Sequence, residues 1–567
     1  MAALLEVSGL CLQLAGDPPV KLVKNISFTL EKGKVLGIVG ESGSGKSLTA
    51  LSITQLLPEN ISISEGKTIF YHSGKAIELS SPGIKNIRQY RGKSIAMIFQ
   101  EPMTSLNPSM TCGRQIEEAI LAHSSMKSGD LKNKVISLFN EVSLPRPEKL
   151  YNSYPHQLSG GQRQRLMIAM ALSSNPEILI ADEPTTALDV TVQKSILLLL
   201  KNLKESRELS VIFISHDLRL IREIADDVLV MRNGEISEFA PAGELFQRPI
   251  SDYTRALIAC QPPLDRKPER LITIQDFESK EVDLPSEKIR KNVIDYSGDP
   301  ILRIENLSVN YSLPGGLFSL GKGTFKALDK VSLEVYAGET LGLVGESGCG
   351  KTTLGKTILK LIQSREGDIY FGGEKVNTLK GKKLSEFRRS VQVVFQDPFS
   401  SLNPRQTIKS MLDEVLRVHK PEFNREQRHQ RIADLLNNVG LSERDMFKYP
   451  HQFSGGQRQR ISIARSLAPE PEFLVLDESV SALDVSIQAQ VLNLLNDLKE
   501  KYGLSYLFIS HDLSVVRYMS DRIVVMREGI IEESGNPDKI FHQPEKEYTR
   551  SLIDAIPGYQ YSSASTS

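Results

Sequence analysis

Two halves of the chain repeat one succession of hydrophobic and polar positions. Each half opens on a strand-like segment, residues 4–10 and 301–309, before a short apolar run, 35–39 and 341–344, that feeds a glycine-rich loop. Residues 48–57 and 353–362 then carry apolar side chains at helical spacing. The stretches 101–175 and 397–470 read as mostly helical, and 177–181, 211–214, 473–476 and 506–509 as short buried strands. Strands alternating with helices predict an α/β core with a largely parallel sheet.

The repeat holds at the level of individual residues. The first half reads Gly40-Glu41-Ser42-Gly43-Ser44-Gly45-Lys46-Ser47, then Gln100, Ser159-Gly160-Gly161-Gln162, Asp182-Glu183 and His216. The second reads Gly345-Glu346-Ser347-Gly348-Cys349-Gly350-Lys351-Thr352, then Gln396, Ser454-Gly455-Gly456-Gln457, Asp477-Glu478 and His511. The two sets run about 300 positions apart in one order, which marks a duplicated domain. The repeat continues past them, since Pro249 and Tyr253-Thr254-Arg255 match Pro544 and Tyr548-Thr549-Arg550.

Length and charge bound what such a chain can be. A chain of 567 residues exceeds one hydrophobic core and divides into two domains of roughly 250 residues. Lys+Arg and Asp+Glu both total 69, so the net charge is zero and no nucleic-acid footprint is expected. Cys11, Cys112, Cys260 and Cys349 lack metal-ligand spacing and read as free thiols in a reducing compartment. Met1 to Leu5 is soon followed by Glu6, which predicts no signal peptide. The longest apolar run, around residues 196–200, is far short of the roughly 20 residues of a membrane span. A soluble, cytoplasmic protein is expected, and a membrane channel would be another polypeptide. Residues 262–299 turn charged and proline-containing, as a linker does, and the serine-rich end reads as disordered. The expected organisation is a first domain over 1–261, a linker over 262–299, a second domain over 300–558 and a tail over 559–567.

The glycine-rich loops fit GxxxxGK[ST] between a strand and a helix. Their backbone N–H groups can curl around phosphate oxygens, with the helix N-terminus behind them. Lys46 and Lys351 would meet the β- and γ-phosphates, and Ser47 and Thr352 would ligate Mg²⁺. Asp182 and Asp477 each end an apolar strand, where a carboxylate can complete the magnesium shell. Glu183 and Glu478 are placed to orient or deprotonate an attacking water, and His216 and His511 to sense the γ-phosphate. Ser159 and Ser454 precede helices carrying Arg163, Arg165, Arg458 and Arg460, and can act as N-caps or as part of an anion site. Spacing alone does not say which phosphate such a site would serve.

P-loop, glutamine, LSGGQ-like segment, Asp-Glu pair and histidine in this order resemble the nucleotide-binding domain of ABC transporters, over both halves. The resemblance implies two tandem P-loop NTPase domains, each with a RecA-like core, an antiparallel β subdomain and a helical subdomain. It implies ATP and Mg²⁺ as cofactors, with Gln100 and Gln396 joining Ser47, Thr352, Asp182 and Asp477 at the metal. It also implies that Ser454–Gln457 complete the Lys46 site and Ser159–Gln162 the Lys351 site, with Asp189 and Asp484 in the loops that cross between them. Closer features, the extended segments after Gln100 and Gln396 and the Pro…Tyr-Thr-Arg tails, resemble the ATPases of peptide importers. That branch implies two transmembrane permease subunits, an extracytoplasmic substrate-binding protein, and peripheral attachment to the cytoplasmic face of the inner membrane. Its cargo would be an oligopeptide, a dipeptide or a glutathione-like peptide, and nickel importers share the branch. Fused sugar-importer ATPases commonly have a degraded second site. Tandem ABC proteins acting on ribosomes or DNA carry long charged linkers, zinc cysteines or coiled-coil arms. The 119 residues from Gly40 to Ser159 leave no room for such an arm.

The two copies differ in two places. The family stacks adenine on an aromatic residue near the start of each domain, which resemblance assigns to Tyr311 in the second half, where the first has Leu14. After the Asp-Glu pair, Pro184-Thr185-Thr186 stands opposite Ser479-Val480-Ser481. Both glutamates and both histidines are present, so two hydrolysis-competent sites are expected.

Overall fold

The computed structural model describes residues 3–80, 87–100, 105–186, 188–278, 294–312, 324–481 and 483–559. Residues 101–104 of the segment after Gln100, Ala187 and Ala482 of the two Ala-Leu-Asp segments, linker residues 279–293 and the tail from 560 onward lie outside them. The chain divides into two units, one of Met1–Leu188 with Val192–Ile258, the other of Asp189–Thr191 with Ala259–Ser567.

The first unit is built on a six-stranded sheet in the order β10-β9-β3-β8-β7-β6. Its central strands β3 (Val35–Val39), β7 (Ile178–Asp182) and β8 (Ser210–Ile214) are buried at every position. Continuous apolar runs of this kind belong in a parallel sheet covered on both faces. Strands β3, β6 (Ile95–Ile98), β7, β8 and β9 (Asp227–Arg232) are parallel, and β10 (Glu235–Pro241) closes one edge antiparallel to β9. A second, antiparallel sheet has the order β2-β1-β4-β5, from β1 (Ala3–Leu14), β2 (Val20–Glu31), β4 (Ile61–His72) and β5 (Lys75–Glu78). One core joins the two sheets, with Leu5, Leu10 and Leu12 of β1 in the same cluster as Ile38, Ile180 and Ile214. The helices Cys112–Leu121, Ser128–Glu141 and Gly160–Ala171 form the helical part.

The second unit repeats this plan. Its large sheet runs β16-β17-β18-β13-β19-β20, from β13 (Thr340–Val344), β16 (Val391–Val394), β17 (Phe473–Asp477), β18 (Ser505–Ile509), β19 (Arg522–Arg527) and β20 (Ile530–Gly535). Its antiparallel sheet runs β12-β11-β14-β15, from β11 (Leu302–Ser312), β12 (Thr324–Val335), β14 (Glu366–Phe371) and β15 (Glu374–Lys375). The helices Ile408–His419, Arg425–Asn438 and Gly455–Leu467 follow the same plan.

The helices after the glycine-rich loops end earlier than apolar spacing suggests, at Ile53 and Ile358. Gln55 and Lys360 take left-handed backbone angles (φ 51° and 56°), and a residue so placed ends a helix by turning its chain away. Among the described residues no helix is long and apolar enough to cross a membrane.

Candidate active site

The parallel register brings the motif-bearing loops of the first unit to one edge. Ile98 of β6 is level with Ala181, Asp182 of β7 with Ile214, and Ile214 of β8 with Ile38 of β3. Gln100, Asp182-Glu183, His216 and the loop from Gly40 therefore emerge side by side at the carboxyl ends of adjacent strands. Open α/β sheets bind ligands at such an edge.

Inside the loop, the Lys46 side chain is buried and turned back onto its own backbone. Its ammonium donates to the carbonyls of Gly40 (2.8 Å) and Glu41 (2.9 Å). Lys351 does the same with Gly345 (2.7 Å) and Glu346 (2.9 Å). The next residue faces the strand-end aspartate: Ser47 Oγ donates to Asp182 at 3.0 Å, and Thr352 Oγ1 to Asp477 at 3.2 Å. Burial pushes the Asp182 carboxyl up to about 6, against the Ser47 hydrogen bond, and raises Asp477 in the same sense. A buried carboxylate beside a hydroxyl is an oxygen-only donor pair, which fits a hard cation that also holds phosphate oxygens.

The adjacent glutamates have the opposite electrostatics. Burial disfavours the charge of Glu183, yet the hydrogen bond and charge of His216, the Thr186 hydroxyl and Lys46 hold its carboxyl down to about 2. Glu478 is lowered by His511 and Lys351 against the same burial. His216 Nδ1 lies 3.2 Å from Glu183 Oε2, and His511 Nδ1 lies 3.4 Å from Glu478 Oε2. Gln100 and Gln396 donate to the same glutamate oxygens at 3.1 and 2.8 Å. Both glutamates hold left-handed backbone (φ 47°), a cost of order 1–3 kcal/mol for a residue with a side chain. The structure thus gathers glutamine, glutamate and histidine of each unit around one carboxylate that stays ionised.

The copies differ one turn later. Thr186 Oγ1 donates to the Glu183 carboxylate at 2.8 Å, whereas Ser481 Oγ donates to the backbone carbonyl of Glu478 at 2.9 Å. Sequence reasoning noticed this difference but gave it no partner.

Ser159 and Ser454 are N-caps. Each accepts from the N–H of Gln162 or Gln457, whose side chain accepts in return from the serine N–H (3.1 Å in both). Gly160 and Gly161, like Gly455 and Gly456, open the helices with first-turn N–H groups that intrahelical bonding leaves unused. The following arginines brace the helix: Arg163 and Arg458 donate to the carbonyls of Pro155 and Pro450, and Arg165 and Arg460 to Val142 and Val439. Asp189 counts with the second unit, where it accepts from the N–H of Ser347 at 3.3 Å. Asp484 stands at the N-cap position of the helix Val485–Tyr502.

Tyr311 is half exposed at the end of β11, directly opposite Phe325 of β12, with its hydroxyl 3.4 Å from Thr353 Oγ1. The equivalent pair in the first unit is Leu14 and Val20.

Each unit is therefore a P-loop nucleotide hydrolase cassette, carried twice. The family model described as ABC transporter matches residues 23–186 and 328–481, and that of the oligopeptide/dipeptide transporter C-terminal region matches 237–286. Glutathione import ATP-binding protein GsiA of Shigella dysenteriae serotype 1 (strain Sd197) is 46% identical over 545 residues, 95% of this chain and 87% of that protein. GsiA of Escherichia coli (strain K12) matches with the same identity and coverage. The solved dimeric ATP-binding cassette MJ0796, in a post-hydrolysis state with ADP and Pi, aligns with 42% of this chain and 98% of its own, at 29% identity and a TM-score of 0.37. The chain belongs to the ABC transporter family, as a fused two-cassette ATPase of the peptide-importer branch that binds and hydrolyses ATP.

Proposed function

We propose that this ATPase drives import of glutathione or short peptides through separate membrane permease subunits. The likeness that carries this reading spans both cassettes and 87% of proteins named for glutathione import. Two permease subunits and an extracytoplasmic binding protein complete the machine, and the ATPase sits against the cytoplasmic face of the membrane through the permease. In cells deleted for the gene, uptake of labelled glutathione is expected to fall to background and to return with the intact chain. Unchanged uptake in the deletion, with the permease present, would refute glutathione as cargo.

Within each site we assign Lys46 and Lys351 to the β- and γ-phosphates, together with the N–H groups of residues 41–47 and 346–352. Ser47 with Asp182, and Thr352 with Asp477, would hold Mg²⁺, and Gln100 and Gln396 would reach it when ATP is bound. Bound magnesium would neutralise charge on the phosphate oxygens. Glu183 and Glu478 then orient and deprotonate the attacking water, and His216 and His511 hold those carboxylates and face the γ-phosphate. The helix starts at Ser159–Gln162 and Ser454–Gln457 supply N–H groups to phosphate, and Asp189 and Asp484 set the loops before the next helices.

Tyr311 would stack on adenine, and Leu14 would offer the first site only an aliphatic contact. Stacking of a base on an aromatic ring contributes about 1–3 kcal/mol in single-strand nucleic-acid binders. Leu14→Tyr is therefore expected to tighten ATP binding at the first site by about tenfold, read by titration with a fluorescent ATP analogue. No change in affinity would mean that the aliphatic contact already serves.

A further inference from the structure

The Pro…Tyr-Thr-Arg tails lie some 200 residues along the chain from the glycine-rich loops. In the fold each tail reaches the start of its own loop. Tyr253, in the helix Asp252–Ala259, is 4% exposed, and its hydroxyl accepts from the N–H of Glu41 at 3.3 Å and lies 3.3 Å from Glu41 Oε2. Tyr548, in the helix Glu547–Asp554, is 8% exposed and accepts from the N–H of Glu346 at 3.2 Å. Each ring is covered by a guanidinium, Arg232 at 4.8 Å and Arg527 at 5.0 Å from the centroid. Those arginines end β9 and β19, directly after Met231 and Met526, whose carbonyl oxygens face Gly40 and Gly345. Burial raises the pKa of both phenols, so each stays a neutral hydroxyl that can accept and donate at physiological pH.

The bonded N–H is informative because of its partner across the peptide bond. The carbonyl of Gly40 and the N–H of Glu41 belong to one planar group. Lys46 holds the carbonyl end of that plane and Tyr253 holds the N–H end. Lys351 and Tyr548 hold the plane between Gly345 and Glu346 in the same way. Two independent copies of one arrangement, built on a repeated tail motif, are unlike an incidental surface contact.

We propose that Tyr253 and Tyr548 are positioning residues of the two ATP sites: each fixes the peptide plane on which the loop lysine rests, so the C-terminal extension helps set ATP affinity. This rests on the assignment of Lys46 and Lys351 to the phosphates. The test is Tyr253→Phe and Tyr548→Phe in the full chain, singly and together, which removes the hydroxyl and keeps the ring beneath its arginine. Tyr548→Phe removes the bond from the Glu346 N–H, and Tyr253→Phe removes the bond from the Glu41 N–H together with the hydroxyl's own bond to the Glu41 carboxylate; each is expected to weaken ATP binding at the altered site by about threefold to tenfold, raising KM while kcat stays within about twofold. Hydrogen exchange of the nucleotide-free protein is expected to speed up at Glu41 or Glu346, with an unchanged melting temperature. Unchanged affinity, KM and exchange in the double variant would overturn the proposal. So would a fall in kcat and melting temperature at constant KM, which marks a purely structural role. Lys46→Ala and Lys351→Ala serve as reference: retained ATP binding in these overturns the site assignment itself, whereas loss of binding there and none in the tyrosine variants overturns only the role of the tyrosines.

Discussion

Replacing Glu183 and Glu478 together by glutamine is expected to lower ATP turnover by at least about a hundredfold while ATP still binds, since a positioned general base contributes about 10²–10⁴. Each carboxylate is buried next to an aspartate yet kept ionised by the histidine beside it and the loop lysine, and a glutamine amide donates to the same Oε2. Glutamine preserves shape and burial but cannot accept a proton. The amide also turns an N–H₂ toward groups that include donors, so the constellation loosens while the loop lysines are untouched. Steady-state phosphate release and equilibrium ATP binding separate the two outcomes. Turnover within threefold of the parent would remove these glutamates from the reaction. The single variants carry further information. Glu183 has the Thr186 hydroxyl as an additional donor and Glu478 does not, because Ser481 bonds a backbone carbonyl. Hydrogen bonds to a charged group are worth about 1.5–3 kcal/mol, so the two carboxylates sit in unequal fields because Thr186 of the first copy stands where the second has Ser481.

What could be read in the chain follows from which interactions are local. The strands β3, β7, β8 and their counterparts are apolar apart from an end residue and buried at every position, which only a sheet covered on both faces achieves. The chemistry-bearing residues sit directly after those runs, so strand ends and candidate residues were legible together. The antiparallel strands β2, β4, β12 and β14 were less so as separate elements. They alternate partly exposed and buried residues, and bulges shift their pairing, which blurs a strict period of two. The convergence of Gln100, Glu183 and His216 on one oxygen depends on the lateral order of β6, β7 and β8, and spacing along the chain does not contain that order. The bond from Tyr253 to Glu41 spans 212 residues. Its only sequence signal was the repeated tail, which marks a place of importance without saying what it touches.

Gly40→Ala is the second substitution with a large expected effect, and it probes the frame beneath the lysine. Gly40 has φ 150°, and a Cβ built there would stand 2.2 Å from the carbonyl oxygen of Met231. Gly345 stands in the same relation to Met526, at φ 152° and 2.2 Å. Both obstacles are backbone at the carboxyl end of the neighbouring parallel strand, so neither can swing aside as a side chain would. The loop must lift away from β9, and its Gly40 carbonyl leaves Lys46. Backbone strain at such a position costs of order 1–3 kcal/mol before any clash. For a unit of this size that is a fall of about 2–12 °C in the melting temperature of the nucleotide-free first cassette. ATP affinity at the first site is expected to drop more than about tenfold, since the lysine and the following N–H groups depend on that peptide. Gly43→Ala separates crowding from backbone angle: it has φ 79°, but a Cβ there meets nothing within 4 Å. Calorimetry of the two variants should show the larger loss at Gly40. Equal losses would mean that backbone angle alone accounts for the glycine, and that close approach to β9 does not hold the loop in place.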